Sequence, residues 1–177
     1  GSGWCLGVDV GGECGMRGAV AATRREPREA IASATGAMPL VADASNALAV
    51  EAMFDAATLA LGGAPDVVIY NASQRVRGAF VDVDAEAVAR AVDITAVSAF
   101  RVAQQAVRRM LPNRHGAEIL TGASAGVKGF AHSAVFARGK FALRGLAHSM
   151  AHEPSPQGTH LTAVGGLVSL RPSRLTT

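Results

Sequence analysis

Short apolar runs alternate along this chain with longer stretches in which apolar residues recur at helical spacing. The clearest run is Pro65-Asp66-Val67-Val68-Ile69-Tyr70, continuous and β-branched, as a strand buried on both faces requires. Residues 4–10, Pro39-Leu40-Val41-Ala42-Asp43, Glu118-Ile119-Leu120-Thr121 and His160-Leu161-Thr162-Ala163-Val164 read as further strands. Between them the pattern predicts helices. Glu26 to Ala34 takes Pro27 in its first turn and ends at Gly36. Asn46 to Leu61 spaces Leu48, Met53, Ala56 and Leu59 helically and stops at Gly62-Gly63. Asp82 or Asp84 caps a helix that runs, with a break, to Leu111, where Pro112 stops it. A last helix spans His132 to His152 and is rich in small residues, including Gly139 and Gly145.

Strands and helices in this alternation predict an α/β fold. It is a Rossmann-like, doubly wound parallel sheet with helices on both faces, three layers in one domain over residues 1–177. Residues 18–25 are ambiguous, finishing a first helix or forming a second strand. A parallel pair needs a crossover of roughly a dozen residues, and Val10 to Ala19 leaves fewer, so either the N-terminal unit is shortened or residues of the natural protein are absent from this chain.

Composition narrows the classes. The 177 residues are 49% hydrophobic and 18% charged, enough for one sizeable core. Aromatics are only 5%, so the core is built from Ala, Val and Leu. A net charge of +3, without a basic stripe interleaved with aromatics, argues against a nucleic-acid partner. Cys5 and Cys14 make no disulfide framework, which points to a reducing, cytoplasmic setting. No run of 18 apolar residues and no signal pattern appears, so no membrane association is expected.

The candidate chemistry gathers where strands end. In such sheets ligands sit outside the carboxyl ends of the strands. Gly11-Gly12-Glu13-Cys14-Gly15, Asn71-Ala72-Ser73, Gly122-Ala123-Ser124-Ala125-Gly126 and Gly165-Gly166 all follow predicted strands, and Asp43 ends another. Phe136 and Lys140, four residues apart, project from one helix face. His148 and His152 share a spacing that can hold zinc, but no third ligand is in sight, so no metal site is assigned.

A serine-bearing turn followed by Phe136-x-x-x-Lys140 resembles the active-site segment of the short-chain dehydrogenases/reductases, with Phe136 at the position of that family's tyrosine. The resemblance covers residues 38–168 well and the first 37 poorly. It implies hydride transfer between a nicotinamide and a carbonyl or alcohol, with NADP or NAD as cofactor. It places Ser124 beside the reacting oxygen, although the family's usual spacing lands on Ala123. Lys140 would bind the nicotinamide ribose, and Thr95 falls where the family has a water-holding asparagine. The implied cofactor contacts are Gly11 and Gly15 at the pyrophosphate, with Arg17 at the third glycine position and Gly18 one place late. Arg24 and Arg25 would sit at the adenosine ribose, favouring NADP, and Asp43 at the adenine amino group. Asn71 and Ala72 would lie beside the ribose, with Ser73 where a glycine is usual, and Gly166 over the nicotinamide.

Asp43 also reads as a turn or cap residue, Arg24-Arg25 as a solvated basic turn, and Thr95 as bonding back to its own helix. Phe136 has no hydroxyl and cannot donate a proton. His132, four residues before it, is an alternative donor or a loop histidine. The implied partners are a small carbonyl or alcohol substrate and further copies of the chain, as a homodimer or homotetramer. Two other functions stay open: a dinucleotide-binding sensor without turnover, and a structural subunit that assembles through its helices.

Overall fold

The computed structural model describes residues 17–153 and 160–164. The strand expected at residues 4–10, and the expected contacts of Gly11, Gly15 and Gly166, lie outside the described residues. Among the described residues there are five strands and five α-helices, with two helices between the third and fourth strands. They are β1 (Ala19–Ala22), α1 (Arg25–Thr35), β2 (Met38–Val41), α2 (Ala47–Leu61), β3 (Val67–Tyr70), α3 (Ala85–Val92), α4 (Ser98–Met110), β4 (Ala117–Thr121), α5 (Ala134–His152) and β5 (His160–Val164). Residues 18–25 therefore divide: Ala19–Ala22 are strand β1, Arg24 is the N-cap position of α1 and Arg25 its first residue.

The strands pair in the orders β1-β2 and β3-β4-β5, all parallel. Pro39 lies within β2, where it has no N–H to give; β2 hydrogen-bonds to β1 alone among the described strands, the edge position a proline tolerates. All four residues of β1 are buried, so both of its faces are covered, and α1 and α2 pack against it. Val68, Tyr70 and Leu120 join Val50, Met53 and Phe54 of α2, Val102, Ala106 and Met110 of α4, and Leu143 and Ala147 of α5 in the main core.

The helix ends follow from local chemistry. Asn46 caps α2, its side chain accepting from the N–H groups of Leu48 and Ala49. Asp84, not Asp82, caps α3 by accepting from the N–H of Ala87. Gly36 and Gly62 close α1 and α2 in the left-handed conformation that glycine adopts without penalty. The apolar spacing of α2 was misleading in part: Val50, Met53, Phe54 and Ala57 are buried, while Leu48 and Leu59 face outward. The expected break before Leu111 is one turn of π-helix, Asp93–Val97, between α3 and α4. Such a turn inserts a residue into the α ladder and often marks a functional site.

Candidate active site

The π turn and the ends of β3 and β4 converge on α5. Thr95, in the middle of the π turn, is buried, and its Oγ1 accepts a hydrogen bond from the N–H of Gln74 at 3.3 Å. Its hydroxyl thus ties down the loop that leaves β3 rather than bonding back to its own helix. On its other side Thr95 meets Gly139, where an added Cβ would lie 3.0 Å from Thr95 Cβ and Cγ2. A second close approach fixes the turn after β4. A Cβ on Gly126 would lie 3.1 Å from the backbone oxygen of Lys140. Glycine at 126 and at 139 lets the β4 turn, α5 and the π turn share one small space.

Lys140 occupies that space. It is 3% exposed, and its Nζ donates to the carbonyl oxygen of Thr121, the last residue of β4, at 2.5 Å. Burial lowers its pKa to about 8. An ammonium carries three donors, and this bond uses one.

Phe136 lies one helical turn before Lys140, largely buried, with Ala125, Ala137 and Ala123 packed around it. Ala123 and Ala125 are the turn residues that pack with the ring's cluster. Ser124 opens a short 3₁₀ turn, Ser124–Gly126, and is exposed. The Lys140 ammonium sits 5.8 Å from the Phe136 ring centroid. The guanidinium of Arg75 lies over the same ring at 4.4 Å. Arg75 follows the Asn71-Ala72-Ser73 turn and belongs to no motif; its nearness to that turn was the one available signal.

The other expected residues are placed as follows. Ala72 is buried and Asn71 exposed at the carboxyl end of β3. Asp43 lies just beyond β2, and its Oδ1 accepts from the N–H and Oγ of Ser45, the turn role that its position also allowed. Arg24 is exposed beyond β1, whereas Arg25 is engaged by Glu29 at 2.7 Å. His132 is exposed in the left-handed region at φ 56°. His148 accepts from Arg144, and no group of three or more His, Cys, Asp or Glu side chains is placed to hold a metal among the described residues. No helix among them is long and apolar enough to cross a membrane.

A family model described as Enoyl-(Acyl carrier protein) reductase matches residues 13–167. A short-chain type dehydrogenase/reductase from Mycobacterium marinum is 26% identical and superposes with a TM-score of 0.78, covering 83% of this chain and 62% of that one. This chain belongs to the short-chain dehydrogenase/reductase family. Human (Homo sapiens) 17-beta-hydroxysteroid dehydrogenase type 1 is 31% identical over 102 residues, which are 58% of this chain and 31% of the human one. This short-chain dehydrogenase/reductase chain therefore spans about a third of that relative's length. An actinorhodin polyketide ketoreductase solved with NADPH shares the fold, with a TM-score of 0.78 at 22% identity, covering 82% of this chain and 58% of that one. The Rossmann-like layering expected from the strand and helix pattern is thus the family's fold.

Proposed function

We propose that this chain is the dinucleotide-binding part of an NAD(P)-dependent oxidoreductase acting on a carbonyl or alcohol. The observation that carries the reading is Lys140: a buried ammonium at the carboxyl end of β4 that spends one of its donors on Thr121. Two further N–H groups are left for ribose hydroxyls, which is a donor set that fits a dinucleotide. Arg24, exposed beyond β1, supplies a cation for a 2′-phosphate, which favours NADP over NAD. Asp43 keeps one carboxylate oxygen for an adenine amino group, since Ser45 occupies the other.

A bound nicotinamide supplies the hydride. The chain's task is then to hold the substrate oxygen and to provide a proton. Phe136 supplies none, and Ala123 brings no hydroxyl to the ring. Lys140 is the titratable group that faces the ring, and its pKa of about 8 keeps it protonated at neutral pH. Carbonyl reduction therefore loses its acid as pH rises through about 8. A missing phenol costs roughly 10²–10⁴ in rate, so turnover is slow. The same substitution favours a second reading, a sensor that binds the dinucleotide without turnover.

Isothermal titration with NADPH and NADH tests the first claim. Binding is expected, tighter for NADPH, and weakened about tenfold or more by Lys140→Met. Absence of binding to either dinucleotide overturns both readings. Turnover on a panel of aldehydes and ketones then separates the slow enzyme from the sensor.

Association of copies is proposed through the outer faces of α4 and α5. Phe100 and Phe141 are each about half exposed there. A shallow cavity of ≈ 130 Å³ beside Phe100 is lined by Ala103, Gln104, Val107 and Met150.

A further inference from the structure

Arg75 differs from the ion-paired arginines among the described residues in what stands against its charge. Arg25, Arg90, Arg101 and Arg109 each have a carboxylate partner, from Glu29, Asp84 and Glu86, Asp93 and Asp55 respectively. Arg75 has an aromatic ring instead, and among the described residues it makes no hydrogen bond or ion pair. It is not held there by chance contact of two loose groups. Phe136 is 9% exposed and packed by Ala125 and Ala137, and the backbone next to Arg75 is tied to buried Thr95 through the Gln74 N–H. A guanidinium over a ring face keeps its N–H edges free, and those edges form a fork that matches a carboxylate bidentately.

The second cation on the ring is Lys140, 5.8 Å from the centroid. Two positive groups against one apolar ring repel each other, and alanines pack around that ring. Their repulsion is relieved by an anion that reaches both. Neither cation has a salt-bridge partner among the described residues, which leaves both open to an anionic ligand.

We propose that Arg75 is the carboxylate-binding residue of this site, and that the substrate is a carbonyl compound carrying a carboxylate close to the reacting carbon, an oxo acid. The proposal rests on the reading of the Lys140 cleft as a carbonyl-reduction site, and it adds the substrate's charge. The fork fixes the acid group over Phe136, which leaves the neighbouring carbonyl beside Lys140. Phe136 then serves as a stacking platform for Arg75, a role that its hydroxyl-free ring fills.

The test titrates the full chain with phenylpyruvate and with its uncharged methyl ester, each with and without saturating NADPH. The acid is expected to bind about tenfold or more tighter than the ester. Arg75→Met, which keeps the length of the side chain and removes the fork, is expected to bring the two within about twofold. Arg75→Lys should recover only part of the preference, since a point charge replaces a fork. Arg75 is exposed, so both variants should fold, and circular dichroism checks this. Equal affinity for acid and ester overturns the proposal, as does a preference unchanged in Arg75→Met. So does no binding of either compound at about 10 mM, a concentration that would reveal even a weak site. Inorganic phosphate competing as well as phenylpyruvate overturns the substrate class. Titration with NADPH alone keeps the two claims apart. An acid preference that depends on Arg75 in a chain that does not bind NADPH supports the carboxylate site and sinks the oxidoreductase reading. NADPH binding without any acid preference does the reverse.

Discussion

Lys140 and Glu118 are both buried against β4, one at the strand's last residue and the other at its second. Lys140 donates to the Thr121 carbonyl and sits where the sheet opens toward the Arg75 side chain. Glu118 is 1% exposed, in a strand paired on both sides, with Val68 opposite on β3 and Leu161 on β5, and among the described residues neither of its carboxylate oxygens has a partner. Burial moves both groups toward neutrality: Lys140 down to about 8, Glu118 up to about 8. The difference lies in what can reach them. At the carboxyl end of the strand an unspent donor stands where, on the proposed reading, the dinucleotide binds. In the middle of the strand an unspent acceptor faces the core, and only its own proton relieves it. The same physical cost is a functional asset at one position and a liability at the other.

The sharpest way to break this comparison is to rearm the strand end. Phe136→Tyr combined with Ala123→Ser returns a phenol beside Lys140 and a hydroxyl to the turn residue that packs on the ring. Carbonyl reduction is expected to rise by roughly 10²–10⁴ in kcat, or about 3–5 kcal/mol of barrier. A double variant that binds NADPH like the parent yet gains nothing shows that the Lys140 geometry is not that of a reductase. The Arg75 stack must be followed in the same variant, because a new phenol can compete with a carboxylate for the guanidinium.

At the middle of the strand, Glu118→Leu keeps the volume and removes the unpaired acceptors. It should stabilise the fold by roughly 1–3 kcal/mol near pH 5, where the carboxyl is neutral but unbonded. The gain should grow toward pH 8. The folded chain holds this proton up to about pH 8, whereas the unfolded chain releases it near the ordinary value of 4.5. Glu118's contribution is therefore fully present below the unfolded pKa and lost as pH rises through the folded one. Lys140 has the opposite sign in a different window. Its pKa is lowered from 10.5, so the stability linked to it is present above 10.5 and lost as pH falls toward about 8. Urea titration of Glu118→Leu and of the parent at pH 5 and pH 8 measures the first window. A difference between them that does not change with pH would mean that the Glu118 carboxyl has found a partner.

Much of the frame was readable because it is local. Asn46 before an apolar helix, glycines at 36 and 62, and the β-branched run at Val67–Tyr70 each act through their own neighbours. The pairing of Phe136 with Lys140 was readable for the same reason, as both lie on one helix face. What was not readable depends on contacts between distant segments. Nothing near Arg75 in sequence announces a ring on α5. The choice between Ala123 and Ser124 turns on how the 3₁₀ turn meets α5, a contact between distant segments. The break in the long helix was visible, but its π form, and the seat it makes for Thr95 against Gly139, were not. Glu118 stands in an otherwise apolar run, and such a run does not tell which face each of its residues takes.

The smallest effects come from the two glycines of α5, and they sharpen the comparison because their surroundings differ. An alanine at an interior helix position gains about 0.5–1 kcal/mol over glycine when nothing opposes it. Among the described residues nothing lies within 4 Å of a Cβ on Gly145, so Gly145→Ala should gain that amount in the isolated chain. At Gly139 the new methyl would press on Thr95, whose neighbours are buried and cannot retreat far. Overpacking of about 1–3 kcal/mol outweighs the propensity gain there, so Gly139→Ala should be destabilising by roughly 1 kcal/mol. It should also loosen the Gln74 bond and with it the seat of Arg75, which the ratio of phenylpyruvate to ester affinity would report. Thermal melts at several protein concentrations complete the test. If copies of the chain associate through α5, Gly145→Ala gains stability at low concentration and loses part of it as concentration rises. If they do not, its gain is the same throughout.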